Sequence, residues 1–281
     1  MRHYLLTMLA LAACSDMPCG SGETRTGVMS ELMFARVDDA GVSSGFDLDG
    51  ETSEEDGLSG CGIGDYTGVD GAAGVDNALA RLIPALELTE AVAAEDLILQ
   101  MINSGELLLM PEIRGVNDPQ NDDCVDFTLW RGSGTPYLGT TGHLTSGQTF
   151  DIDPEVAAVH AQRLPLVDGS IVAENIEIGF PLEIFDARLD AVLENASIRV
   201  DWEEDGSFTG YMGGALDYWT VVDMALNSNV DQTLAGTLPV LFGNNADLEP
   251  DETGTCQKIS VTFEFSGSTA FFYEDVEREL P

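Results

Sequence analysis

Acidic side chains alternate with other residues in FDLDGETSEEDGL, residues 46–58, and this spacing is typical of loops that bind calcium. Calcium takes six to eight oxygen ligands at about 2.3–2.6 Å, and a glycine such as Gly50 lets the backbone bend around the ion. We therefore predict a calcium ion as the cofactor of this chain, with the ligands Asp47, Asp49, Ser53 and Asp56. A looser site could recruit further carboxylates from the same loop, at Asp65, Asp70 or Asp76.

The loop departs from the EF-hand pattern at two positions. Gly50 is the fourth residue counted from Asp47, whereas the EF-hand has its glycine at the sixth position. Leu58 stands at the twelfth position, where the EF-hand needs a bidentate glutamate. We therefore predict no EF-hand, and the alternative of a solvated acidic loop without a specific site stays open.

The sequence contains no recognisable catalytic motif. His143 lies in a Gly/Thr-rich stretch and His160 in EVAAVHAQR, and neither belongs to a nucleophile, zinc-protease or phosphate-binding motif. We predict no catalytic residue and a non-catalytic protein. The competing class is an extracytoplasmic hydrolase that uses paired carboxylates. With 50 acidic residues, no particular pair can be chosen from the sequence.

The first 13 residues predict a signal peptide. Arg2 provides a positive start, and residues 5–13 are almost entirely apolar but too few to span a bilayer as a helix. Residues 11–14 read LAAC, which resembles a bacterial lipobox, so we predict cleavage before Cys14 and lipidation of its sulfur, with acyl chains such as palmitate. Two or more acyl chains hold a protein stably on a membrane. An ordinary signal peptide followed by a chance cysteine is the alternative.

This N-terminus predicts a location in the cell envelope. Ser15 follows the lipidated cysteine, which favours anchoring in the outer membrane, with the body periplasmic or exposed at the surface. Four cysteines remain in that oxidising compartment, so two disulfides are expected among Cys19, Cys61, Cys124 and Cys256. Cys124 and Cys256 each open an apparent strand, which favours pairing them and leaving Cys19 with Cys61, but all three connectivities stay open.

The charge of the chain limits its partners. The formal net charge is −39 and Lys258 is the only lysine, so nucleic acid is excluded as a partner because phosphate binding depends on clustered Lys and Arg. The predicted contact with a membrane is through the N-terminal lipid alone. The expected function is an extracytoplasmic binding or structural module for an unknown protein or polysaccharide ligand.

Hydrophobic periodicity divides the chain into segments. Residues 14–45 lack a period and predict a flexible tether, followed by one globular domain over 46–281. Within it, 46–77 is the acidic Gly/Asp-rich loop, and apolar spacing over 78–105 predicts two helices, one of which carries Pro84. Gly105 suits the end of the second helix.

From residue 106 onward the period changes to two, which indicates strands with one buried face. Ile198, Val200 and Trp202 lead into a turn at 203–206, and Phe208 starts the return strand. Residues 216–227 predict one short helix. Helices early and strands late indicate an α+β, mainly β class, and we expect an antiparallel β-sandwich or curved sheet with two N-terminal helices packed against it.

Three stretches carry a resemblance to a family. They are GFDLDG with the following GCGIGDYTGVDGAAGVDNALARLIPAL, then NDDCVDFTLWRG, and finally GTCQKISVTFEF. Together they resemble a group of uncharacterised acidic bacterial lipoproteins, and the likeness spans most of the chain after the signal peptide. The resemblance implies export, a lipid anchor and a stabilising role for the DxDG loop, and it implies no activity.

Overall fold

A computed structural model describes Cys19 and residues 22–57, 59–184, 187–229 and 231–273. The predicted signal peptide and Cys14 lie outside the described residues, as does Leu58. Within these ranges, no helix is long and apolar enough to cross a membrane.

The described residues form twelve strands and four α-helices. The strands are β1 (Glu23–Phe34), β2 (Val42–Ser43), β3 (Thr67–Gly68), β4 (Leu108–Val116), β5 (Asn121–Ser133), β6 (Gln148–Ile152), β7 (Val159–Val167), β8 (Ser170–Ile184), β9 (Ala187–Trp202), β10 (Phe208–Leu216), β11 (Leu248–Pro250) and β12 (Cys256–Phe272). The helices are α1 (Leu79–Leu86), α2 (Ala94–Ser104), α3 (Tyr218–Leu226) and α4 (Gln232–Gly243). Two short 3-10 turns cover Gly60–Gly62 and Glu90–Ala93.

Eight of the strands close into an antiparallel barrel. The order around the barrel is β1-β4-β5-β7-β8-β9-β10-β12, and β12 then pairs with β1. The closing pair runs from Gly27 opposite Thr269 to Phe34 opposite Phe263. The short strand β6 bridges the ends of β5 and β12, and β11 adds to β12.

The expected sandwich or open curved sheet is therefore wrong, as is the number of helices. β1 pairs with both β4 and β12, and β5 pairs with both β4 and β7, so the sheet has no free edge at which a second layer could begin. Two helices, α3 and α4, follow β10 in addition to the two predicted before β4. The predicted helix at 216–227 is α3, and its N-terminus is capped by the Asp217 side chain, which accepts a hydrogen bond from the Trp219 amide.

The predicted tether over 14–45 is also wrong for the residues that the structure describes. Residues 23–34 form β1, which lies between β4 and β12 in the barrel wall. Val28, Met29 and Leu32 of this strand are buried. Their spacing does not follow a strict period of two because a bulge lies between Met29 and Glu31, and this irregularity hides the strand in the sequence.

Large side chains fill the interior of the barrel, as expected for eight strands. Phe208 packs against Trp202 and Phe265, with ring centroids 5.3 and 6.2 Å apart. The Phe208 ring occupies the space beside Gly267, where an added Cβ would lie 2.1 Å from the ring. The turn predicted at 203–206 connects β9 to β10 in register.

The helices gather at one end of the barrel. α2 contacts both β1 and β8, which are on opposite sides of the barrel, so this helix lies across the opening. It ends at Gly105, which adopts a left-handed conformation with φ 88°, as the sequence predicted. β9 pairs with β10 from Trp202 to Glu194, and its remaining residues extend past the end of β10, where α3 packs beside them.

Two disulfides join distant parts of the chain, but the favoured pairing was wrong. Cys19 is bonded to Cys124, and Cys61 to Cys256, with Cα atoms 5.4 and 6.0 Å apart. The start of β1 pairs with the end of β4, which in turn pairs with the start of β5, so Cys19 and Cys124 become neighbours. The starts of β5 and β12 lie on strands that do not pair with each other.

Candidate functional site

The acidic loop packs on the outer face of the barrel. The acidic loop and the residues just before it lie against strands β10 and β12. There the Phe46 ring lies 4.9 Å from that of Tyr211 on β10. The Ser44 hydroxyl donates a hydrogen bond of 2.6 Å to the Glu264 carboxylate. The Cys61–Cys256 disulfide ties the middle of the loop to the start of β12. The loop is thus held at several points, although it contains little regular secondary structure.

Three carboxylates meet where the loop begins and ends. The isolated bridge between Phe46 and Asp76 brings the two ends of the loop together. As a result, one carboxylate oxygen from each of Asp47, Asp49 and Asp76 lies within 4.8 Å of the others, a group that we call the acidic triad. Asp76 is buried, whereas Asp47 and Asp49 are exposed.

Backbone amides hold each carboxylate of the acidic triad in place. The Leu48 amide donates to Asp76 Oδ2 at 2.6 Å, the Gly50 amide to Asp47 Oδ1 at 2.7 Å, and the Glu51 amide to Asp49 Oδ1 at 2.8 Å. These donors all come from residues 48–51, so the turn that follows Phe46 sets the positions of all three acids. In the part of the chain that the structure describes, backbone amides therefore orient all three carboxylates.

The acidic triad fits a calcium ion. Two oxygens that bind one calcium at about 2.3–2.6 Å are at most about 5 Å apart, and the oxygens of the acidic triad satisfy this limit. Three carboxylates supply part of the six to eight oxygens that calcium takes, and water can supply others because Asp47 and Asp49 are exposed. When bound, the ion would neutralise the repulsion between the three acids.

Two further carboxyl groups, those of Asp65 and Asp247, lie near the acidic triad. Desolvation raises the pKa of Asp76 to about 8, and the charges of Asp247, Asp49 and Asp65 act in the same direction. Burial likewise raises the pKa of Asp65, which also forms a side-chain hydrogen bond with Asp76. Burial raises the pKa of Asp247 to about 6, although hydrogen bonds from Ser260 oppose the shift.

The predicted calcium ligands are only partly brought together. Asp47 and Asp49 belong to the acidic triad, whereas the carboxylate of Asp56 does not. Ser53 is buried, and its amide donates to the Asp65 carboxylate, so it serves the second turn of the loop. Asp56 is exposed in a left-handed conformation with φ 59°, and its amide donates to the Gly62 carbonyl. Asp76, which the sequence offered as an additional ligand, completes the acidic triad.

Each of the two histidines in the described residues contacts one polar side chain. His143 Nδ1 lies 3.4 Å from a carboxylate oxygen of Glu31. His160 Nδ1 is hydrogen-bonded to the Thr128 hydroxyl at 2.9 Å, but Thr128 is only 1% exposed, so a substrate cannot reach that hydroxyl.

A second candidate site is an apolar cavity of about 210 Å³ between the helices and the end of the barrel. Its barrel side is formed by buried side chains of β9, β10 and β12, and its other side by α1, α3 and α4. The charged residues in its lining are Arg36, Glu87 and Glu95. Arg36 donates to Glu87 at 2.7 Å and to Glu95 at 2.9 Å, so these three residues form one ion-paired group at the mouth.

No protein-family model, curated protein or solved structure matches this chain.

Sequence reasoning missed two features of these sites. Asp247 lies in NNADLEPDE, which resembles an ordinary turn between strands, yet Asp247 is only 4% exposed. A lone aspartate followed by an alternating apolar strand gives no signal of burial. The cavity was also missed because its lining comes from elements that are up to about 230 residues apart, and helix α4, QTLAGTLPVLFG, has no clear helical period.

Proposed function

We propose that this protein is a non-catalytic module of the bacterial cell envelope, anchored by lipid on Cys14, whose outer loop is held closed by a calcium ion. The observation that carries the proposal is the acidic triad, in which both ends of the 46–77 loop contribute carboxylates to one point. An ion bound there would cross-link the ends of the loop and would offset the repulsion between acids. The module then presents a rigid surface for binding or scaffolding outside the cytoplasm.

The extracytoplasmic location is supported by chemistry at the N-terminus and in the body. Disulfides persist in oxidising compartments, and both disulfides join segments more than 100 residues apart, with separations of 105 and 195 residues. Cys14 precedes Cys19 by five residues, and Cys19 is fixed to the start of β5. The proposed lipid would therefore be attached close to one end of the barrel.

The glycosidase form of the competing hydrolase hypothesis receives less support from the one carboxyl pair near the acidic triad. Glycosidases keep their two carboxyl groups about 5–9.5 Å apart to leave room for the sugar or for water. Asp65 and Asp76 are in hydrogen-bonding contact, which is closer than this range. Asp76 is also 2% exposed, so a substrate has little access to its carboxyl group.

Calcium-dependent melting tests the ion. The wild-type chain is melted in EDTA, then with excess calcium, and then with sodium chloride at matched ionic strength. We expect calcium to raise the midpoint of the wild type, because a ligand at a hundredfold excess over its Kd contributes about 2.7 kcal/mol. The double variant Asp47→Asn/Asp49→Asn should lose this gain.

Asp56→Asn is the matched control, since Asp56 is an exposed acid of the same loop that lies outside the acidic triad, and asparagine tolerates its left-handed backbone. It should keep the full response to calcium. A wild-type midpoint that moves no further in calcium than in matched salt would contradict the calcium site.

Intact-mass analysis and membrane fractionation test the anchor separately. We expect the natural protein to begin at a diacylglyceryl-modified Cys14 and to sediment with membranes, and Cys14→Ser to remain unprocessed by the lipoprotein pathway. An unmodified Cys14 thiol in the natural protein would refute the lipid anchor without affecting the calcium result.

A further inference from the structure

The apolar cavity at the helix-covered end of the barrel has the features of a binding site. Leu189, Ala191 and Leu193 of β9 and Val261 and Phe263 of β12 form its floor, and all five are no more than 5% exposed. Residues nearer the mouth are more accessible, and Val92 is 58% exposed. The cavity is thus open to solvent on one side, and its floor is apolar.

The size of the cavity limits what it can hold. An apolar cavity of about 150 Å³ inside a protein stays dry and binds benzene, whereas sites for drug-sized ligands begin at about 300 Å³. The volume of about 210 Å³ lies between these values. It therefore suits one short alkyl chain or one ring, and it is too small for a peptide or an oligosaccharide.

The charges at the mouth select the polar end of such a ligand. Arg36 is already paired with Glu87 and Glu95, so this group contributes one positive and two negative charges. The whole chain carries a formal charge of −39, and its field adds to the local excess of negative charge. An anionic head group would have to displace a carboxylate from Arg36 and would be repelled by the rest of the protein.

We propose that this cavity binds a small amphiphile whose single alkyl chain enters the apolar floor and whose head group is cationic. The ammonium head would lie beside Glu87, whose side chain is 43% exposed, while Arg36 stays paired with Glu95. This inference goes beyond the function proposed above and depends on neither the calcium ion nor the lipid anchor.

Displacement of a neutral fluorescent probe tests the proposal. The full chain carrying Cys14→Ser, which bears no lipid of its own, is loaded with 4-dimethylaminobenzonitrile, a neutral single-ring probe whose fluorescence depends on the polarity around it. Octyltrimethylammonium, 1-octanol and octanoate then compete for the site, since they share one tail and differ in head-group charge. We expect octyltrimethylammonium to displace the probe at a concentration about tenfold lower than octanoate, with octanol between them, and we expect this difference to shrink at high salt.

Two cavity-filling variants locate the binding. Ala191→Leu fills the cavity from the barrel side and Ala225→Leu from α3, and each should weaken octyltrimethylammonium binding at least about tenfold without lowering the melting midpoint. Ala157→Leu makes the same change at an exposed position outside the cavity lining and should bind like the parent.

Three outcomes would overturn the proposal. Octanoate could be the strongest competitor, which would reverse the charge argument. The filling variants could bind like Ala157→Leu, which would place the ligand elsewhere on the protein. The probe could fail to bind the parent chain at all, which would make the cavity a packing defect.

Discussion

Replacing Asp247 by asparagine should increase the free energy of unfolding at neutral pH. Asp247 is 4% exposed, and its carboxylate accepts hydrogen bonds from both the amide and the hydroxyl of Ser260. Those bonds do not fully compensate for burial, so the pKa of Asp247 rises from its ordinary value of 3.8 to about 6. The folded state therefore retains a proton that the unfolded chain has already lost between these two values.

The sign and size of the effect follow from this difference. Because the folded pKa is raised, the contribution of Asp247 to stability is complete below about pH 4 and is lost as the pH rises through about 6. At about 1.4 kcal/mol for each pH unit, the loss at pH 7 amounts to about 3 kcal/mol. Asparagine has no proton to lose, and its amide oxygen can still accept from the Ser260 amide.

Urea unfolding at pH 4 and at pH 7 measures this difference. Unfolding is monitored by tryptophan fluorescence, and EDTA is present in every sample. We expect Asp247→Asn to unfold at a higher urea concentration than the wild type at pH 7, by up to about 3 kcal/mol, and to gain much less at pH 4. Asp223→Asn, at an exposed position on α3, should match the wild type at both pH values. The reasoning is refuted if the gain of Asp247→Asn is the same at pH 4 as at pH 7.

Three other perturbations give separate tests. Removing one disulfide with Cys61→Ser/Cys256→Ser should lower the free energy of unfolding in urea by about 5 kcal/mol, because that bond closes a covalent loop of 195 residues. An unchanged midpoint would show that the acidic loop is held in place without the disulfide. Gly267→Ala should lower the free energy of unfolding by about 1–3 kcal/mol, since its Cβ would overlap the Phe208 ring. An unchanged free energy would mean that the Phe208 ring can move aside within the barrel. Arg36→Met removes the cationic partner of Glu87 and Glu95 at the cavity mouth. It should strengthen probe displacement by octyltrimethylammonium severalfold, whereas weaker displacement would contradict the charge argument.

The local elements could be predicted from the sequence, but their closure could not. The alternation through Trp202 and back from Phe208 identifies a hairpin because both strands and their turn are adjacent in the chain. The pairing of β1 with β12 joins residues that are 229 to 242 positions apart, and the alternating pattern of a strand does not indicate which distant strand it will pair with. A closed barrel and an open sheet therefore present the same local pattern.

The same limit applies to the acidic triad. Asp47 and Asp49 could be identified because a calcium loop draws on acids that are close in sequence. Ser53 and Asp56 satisfied that spacing equally well, yet the third carboxylate comes from Asp76, at the other end of the loop. Proximity in sequence thus identified one end of the loop, and the fold supplied the other.

The closure of the barrel has a consequence for how the chain is made. Neither β1 nor the loop at Cys61 can reach its final partner before β12 has been synthesised, because both partners lie at residues 256–272. If the chain is exported as an extended thread, as proposed above, the edge of β1 that faces β12 would therefore stay unpaired until nearly all of the chain has emerged on the far side. During such a delay, repulsion among its 50 acidic residues would keep like segments apart, so the charge that strains the finished barrel would also oppose aggregation of the emerging chain.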